Sequence, residues 1–107
     1  MVVITDISFD SEVLQTSVTK PVIAVFSATW CGPCKQLMSL ITQLEPELHN
    51  KYTFVKIDVE ESPIVTNKYK IRSVPTTIIF SNNNIVTNKS GIFKTKNDLL
   101  NFIKDNT

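Results

Sequence analysis

An α/β fold, with a mixed central sheet and helices on both its faces, is what this sequence predicts. Three observations carry it. Short β-branched apolar runs alternate with segments whose apolar residues recur at helical spacing. The run Val22-Ile23-Ala24-Val25-Phe26 has no polar face, as expected of a strand covered on both sides. The long helical stripe that follows it leads into another strand, the pattern of a right-handed crossover between parallel strands.

Each element follows from its residues. Val2–Thr5 is a short β-branched strand. Ser8–Thr16 places Phe9, Val13 and Leu14 on one helical face, with Ser8 positioned as N-cap. Pro21–Ala28 is the buried strand. Cys31–Asn50 carries Leu37, Leu40, Ile41, Leu44 and Leu48 at helical spacing, a stripe read as core contact. Tyr52–Val59 is a strand with Phe54, Val55, Ile57 and Val59. Ser62-Pro63 opens a helix running to about Tyr69: Ser caps, and Pro occupies the first helical position, where its missing N–H costs nothing. Thr76–Ser81 and Ile85–Ser90 form a hairpin across the turn Asn82–Asn84. Thr95, with Asp98 three residues on, starts a last helix that buries Leu99, Leu100, Phe102 and Ile103. The order is β-α-β-α-β-α-β-β-α, a single domain over residues 1–107.

Composition excludes several classes of function. Eleven Lys+Arg against ten Asp+Glu leave a formal net charge of +1, and nothing in this balance argues for nucleic-acid binding, which needs a concentrated basic face. The longest apolar run falls far short of the roughly 20 residues that span a bilayer. Met1 leads into Val2-Val3-Ile4 without a basic n-region or a small-residue cleavage site, so a cytoplasmic protein is expected. A monomer is expected. Lys94, Lys96 and Lys104 read as a solvated helix face, and His49 as a surface residue complementing a helix C-terminus.

The chemistry concentrates in Ala28-Thr29-Trp30-Cys31-Gly32-Pro33-Cys34-Lys35, where the buried strand ends and the long helix begins. Cys31 and Cys34 are the only cysteines, leaving three readings: a redox pair, half of a metal site, or an incidental pair. Zinc needs two further ligands, and only His49 and carboxylates could serve, so no metal is expected. The i,i+3 spacing brings the two thiols onto one turn, within disulfide reach. Cys31 sits at the helix N-terminus, where unpaired N–H groups and the dipole favour its thiolate, the nucleophilic form. Cys34, one turn deeper, is expected to be shielded. Pro33 stiffens the first turn without losing a hydrogen bond. Trp30, beside Cys31, reads as a partly exposed contact residue.

The Trp30-to-Lys35 stretch resembles the active-site motif of the thioredoxin family without a mismatch. The resemblance continues through Lys56-Ile57-Asp58-Val59, Lys68-Tyr69, Ile71-Arg72-Ser73-Val74-Pro75-Thr76 and Gly91, and covers essentially the whole chain. It implies the thioredoxin fold, a five-stranded sheet flanked by four helices, and reduction of protein disulfides. Cys31 would be the nucleophile and Cys34 the resolving thiol, with Trp30, Gly32, Pro33, Lys56 and Pro75 in support. It implies a cis peptide before Pro75, which would turn the Val74 backbone toward an extended client. The client surface would comprise Trp30, Gly32, Pro33, Val74 and Pro75, joined by Gly91 and Ile92. No cofactor would be bound; electrons would come from NADPH through a separate thioredoxin reductase, and the other partners would be disulfide-containing clients. A scaffold subunit of a larger assembly, or a reductase dedicated to one client, are the competing functions.

Three positions depart from the family pattern. Val25 stands where the family usually has a buried Asp assigned to proton transfer with the second cysteine. Ser39 replaces a proline that often kinks the long helix, so a straighter helix is expected. Ser27 replaces an aromatic residue, leaving less bulk beneath the active site.

Overall fold

The computed structural model describes all residues, 1–107. The sheet has five strands: β1 (Val2–Ile4), β2 (Val22–Ser27), β3 (Thr53–Asp58), β4 (Thr76–Ser81) and β5 (Asn84–Ser90), in the order β1-β3-β2-β4-β5. β3 lies parallel to both β1 and β2, whereas β4 is antiparallel to β2 and β5. The helices are α1 (Asp10–Gln15, continued by a 3₁₀ turn over Thr16–Val18), α2 (Gly32–Leu48), α3 (Pro63–Lys68) and α4 (Lys96–Asp105). This is the mixed sheet with four helices that the sequence predicts. No helix is long and apolar enough to cross a membrane.

Strand alternation divides the core into two layers. In β2, Val22, Ala24 and Phe26 face one way and join Ile4, Phe9, Val13, Val65 and Phe80 under α1 and α3. Ile23 and Val25 face the other way and join Leu37, Ile41, Leu99 and Ile103 under α2 and α4. All six β2 residues are buried, because both sheet faces are covered at this strand.

Several termini differ from their sequence reading. α1 is no regular α-helix: Asp10–Gln15 is wound widely, as a π-helix, before tightening to 3₁₀. Ser8 does not cap it forward; its Oγ accepts the Thr5 N–H at 3.1 Å. Ser62 holds the N-cap position of α3, but its buried hydroxyl has no partner. Asp6 does the capping instead, its two carboxylate oxygens accepting the N–H groups of Ile64 (3.1 Å) and Val65 (2.9 Å). Two orphan helix donors are thus satisfied from another part of the chain. Asp6→Ala is therefore expected to lower stability by about 1 kcal/mol, read as an earlier midpoint in urea unfolding. Ser62→Ala removes an unpartnered hydroxyl and should leave the midpoint where it is or raise it.

Other features follow the residues closely. Thr95 Oγ1 caps α4 by accepting the Asp98 N–H at 3.1 Å. Asn82 and Asn83, both at positive φ (52° and 68°), close the hairpin as a two-residue turn, the conformation asparagine tolerates best after glycine. Buried Ser17 anchors that turn: its carbonyl accepts the Asn82 N–H and its Oγ the Asn83 N–H. Tyr69 packs against Phe9 and Phe80. Burial, and after it the Asp10 carboxylate, raise its phenol above the ordinary value of 10.0. α2 runs unbroken past Ser39; its one internal proline, Pro46, falls in the last turn.

Candidate active site

β2 delivers the chain to the carboxyl end of the sheet, where Thr29 and Trp30 are exposed and α2 begins. The Ala28 carbonyl accepts the Cys31 N–H at 3.2 Å, turning the backbone into the helix. Cys31 is the N-cap of α2, extended at φ −91° and ψ 111°, and its Sγ accepts the Cys34 N–H at 3.1 Å. Sulfur here occupies the place that a serine or aspartate oxygen takes in an ordinary N-cap. Gly32 and Pro33 form the first turn, on the surface. The two cysteines form a disulfide, with their Cα atoms 5.3 Å apart.

The expected contrast in exposure between the two cysteines is absent. Cys31 is 4% exposed and Cys34 2%, since in the disulfide both pack with Ala28 against Val59 and Val74. What distinguishes them is the environment of the sulfur. Cys31 Sγ receives a backbone N–H at the positive end of α2 and lies 3.8 Å from the Val74 carbonyl oxygen. Trp30 is the exposed member of the motif, at 69%, and its Nε1–H donates to Glu60 Oε1 at 3.1 Å.

The Val74–Pro75 peptide is cis, the geometry the resemblance implies, and Pro75 is buried. The Pro75 carbonyl accepts the Gly91 N–H at 2.8 Å, which ties Gly91 to the cis-proline segment. Gly91 lies just past β5 rather than within it, at φ +92°, where a side chain would be strained. Ile92, next to it, is 40% exposed.

Two openings flank the disulfide. A groove of about 170 Å³ is lined by Trp30, Val59, Thr66, Ile71, Arg72, Ser73 and Val74. Of the client surface named from sequence, only Trp30 and Val74 belong to it. Gly32 and Pro33 project at the helix start, and Pro75, Gly91 and Ile92 do not line it. Val59, Ile71 and Arg72 are additions that the sequence could have supplied, since Ile71-Arg72 lie in the same short segment as the Val74-Pro75 pair, one residue before it, and Val59 prolongs an apolar strand. The second opening, a cleft of about 280 Å³, is lined by Ser27, Ala28, Thr29, Cys34, Lys35, Met38 and Lys56. Lys56 thus shares a cleft with Cys34, away from the groove. Val25, fully buried, pairs with Lys56 on one side and Thr77 on the other. A third depression, bounded by Tyr69–Ser73 and the β4–β5 surface, reaches neither cysteine.

No three His, Cys, Asp or Glu side chains come together in this fold, so a Cys31–Cys34 metal site would lack ligands from the chain itself. The pair is instead placed for dithiol–disulfide exchange: a cysteine held as an N-cap, a second one turn away, and an exposed aromatic beside them.

Comparison with known proteins bears on the same chemistry. The Thioredoxin family model matches residues 1–105. The thioredoxin of Rickettsia typhi is 40% identical over 100 residues, spanning 94% of this chain and 92% of that protein. The Rickettsia bellii thioredoxin is 37% identical over 103 residues, covering 96% and 95%. Thioredoxin M4, chloroplastic, of Arabidopsis thaliana is 43% identical over 77 residues, 72% of this chain and 39% of that protein. Agreement with the bacterial relatives extends over nearly the full length on both sides, far beyond the six-residue motif, and it places the chain in the thioredoxin family of thiol–disulfide oxidoreductases.

Proposed function

We propose that this chain reduces protein disulfides in two steps, with Cys31 attacking first and Cys34 resolving. The Cys31 thiolate attacks one sulfur of a client disulfide; that S–S bond breaks and the other client sulfur leaves as a thiolate. Cys34 then loses its proton and attacks Cys31 Sγ, releasing the second client thiolate and closing the Cys31–Cys34 disulfide. Two electrons pass from the cysteine pair to the client. The single observation that carries this order is the backbone N–H donated to Cys31 Sγ at the start of α2, a contact that favours a thiolate there over one at Cys34.

In this reading Trp30, Gly32, Pro33, Val74, Pro75, Gly91 and Ile92 form the client-binding surface, Trp30 and Val74 through the groove they line, and Lys56 supports proton transfer from the cleft side. The Val74 carbonyl, beside Cys31 Sγ, offers an extended client a strand-like hydrogen-bonding edge. A separate thioredoxin reductase spending NADPH restores the dithiol, so the chain holds no cofactor of its own. It works as a monomer in the cytoplasm. An intact, disulfide-competent pair favours turnover over a scaffold role, which needs neither thiol.

The test is reduction of insulin by dithiothreitol, followed as turbidity. The wild-type chain is expected to shorten the lag markedly at catalytic concentration; a trace that matches the uncatalysed blank would point to the scaffold.

A further inference from the structure

The second step requires Cys34 to lose a proton in a place that lacks the family's buried carboxylate, since Val25 is apolar and fully buried. The cleft beside Cys34 contains one polar side chain that is buried and unpartnered. Ser27 is 1% exposed, its Oγ has no protein hydrogen-bond partner, and it lines the cleft together with Cys34 and Lys56. Ser27 lies two residues beyond Val25 on the same face of β2, toward α2. A buried hydroxyl without a partner is uncommon and costs about 1–3 kcal/mol. The cleft, about 280 Å³, has ample room for water.

We propose that Ser27 is a positioning residue for resolution: its hydroxyl anchors a water against Cys34, and this water takes the Cys34 proton. The proposal rests on the two-step reading above. As Cys34 Sγ attacks Cys31 Sγ, the Cys34 S–H bond breaks and its proton passes to the water and out through the cleft to solvent. The new S–S bond forms, the Cys31–client bond breaks, and the client sulfur leaves with the electron pair. The charged groups around Ser27 are few. Lys56 and Asp58 face it from β3, and Lys35 lines the same cleft from α2. Asp58 is occupied, its Oδ1 accepting the N–H groups of Glu60 and Glu61. Thr77 is an internal control. It too is buried with an unpartnered hydroxyl, next to Val25, but it does not line the cleft.

The experiment mixes fully reduced protein with 5,5′-dithiobis(2-nitrobenzoate) and follows release of the coloured thiolate. The first release reports attack by Cys31, the second resolution by Cys34. In Ser27→Ala at pH 6 the first phase is expected to be unchanged. The second should slow by roughly tenfold to a hundredfold, at or below the lower end of what positioned proton transfer contributes. The gap should close near pH 9.5, above the ordinary thiol pKa of about 8.5, where Cys34 ionises unaided. Thr77→Ala should leave both phases unchanged. A second phase unaltered in Ser27→Ala, slowed equally at both pH values, or slowed as much by Thr77→Ala, would overturn the assignment. A wild-type chain showing no first phase would instead overturn the two-step reading, and this proposal with it.

Discussion

Cys31→Ser is expected to abolish insulin reduction, with turnover falling to the blank, whereas Cys34→Ser should lose turnover yet still form mixed disulfides with clients. The asymmetry comes from the start of α2. Serine at position 31 can still cap the helix by accepting the Cys34 N–H, so the fold should survive, but a hydroxyl does not attack a disulfide near neutral pH. Serine at position 34 leaves the first attack untouched and removes the thiol that ends the covalent intermediate, which then accumulates. Incubation with insulin, followed by non-reducing electrophoresis, reads both outcomes. A covalent adduct formed by Cys31→Ser but not by Cys34→Ser would reverse the roles.

The second large effect concerns stability. Val25 is fully buried in the core layer under α2, beside Leu37 and Ile41. Val25→Asp places a carboxyl there whose charged form is disfavoured by desolvation, so its folded pKa rises above the unfolded value of about 3.9. Stability relative to the neutral acid is then fully present below the unfolded pKa and is lost as pH rises through the folded pKa. A rise of ~3 units corresponds to roughly 4 kcal/mol lost at neutral pH. Denaturant melts should therefore show a much larger deficit at pH 7.5 than at pH 4.5. The family resemblance assigns a carboxylate at this position to proton transfer with the second cysteine, so resolution of the mixed disulfide should quicken. A deficit equal at both pH values, with no faster second step, would show that position 25 neither buries a charge nor communicates with Cys34.

The parts of the structure that were legible in the sequence are those set by local pattern. The unbroken Val22–Phe26 run marked the doubly covered strand, the Leu37, Ile41, Leu44 spacing marked the buried side of α2, and Thr95 with Asp98 marked the α4 cap. The motif from Trp30 to Lys35 located the disulfide to the residue. What escaped depends on partners distant along the chain. Ser62-Pro63 has the local signature of a helix start, yet the capping oxygens come from Asp6, which pairs with Val65 across 59 positions. One miss is local instead: Ser8 resembles a cap, yet its hydroxyl turns back three residues to accept the Thr5 N–H. Cys34 reads as the shielded thiol of the two, one turn into the helix, but Val59 and Val74 close over both cysteines. Ser27 registered in the sequence only as missing bulk. That its hydroxyl is buried beside Cys34 without a partner emerges only when β2, β3 and α2 are assembled.

The central claim is that Cys31, not Cys34, carries the reactive thiolate of the reduced protein, and limited alkylation tests it most directly. The fully reduced wild-type chain is treated with substoichiometric iodoacetamide at pH 7, quenched, digested and mapped by mass spectrometry. The N–H that Cys31 Sγ accepts at the α2 N-terminus predicts modification of Cys31 well ahead of Cys34. Modification of Cys34 first, or of both at equal rates, would contradict the account.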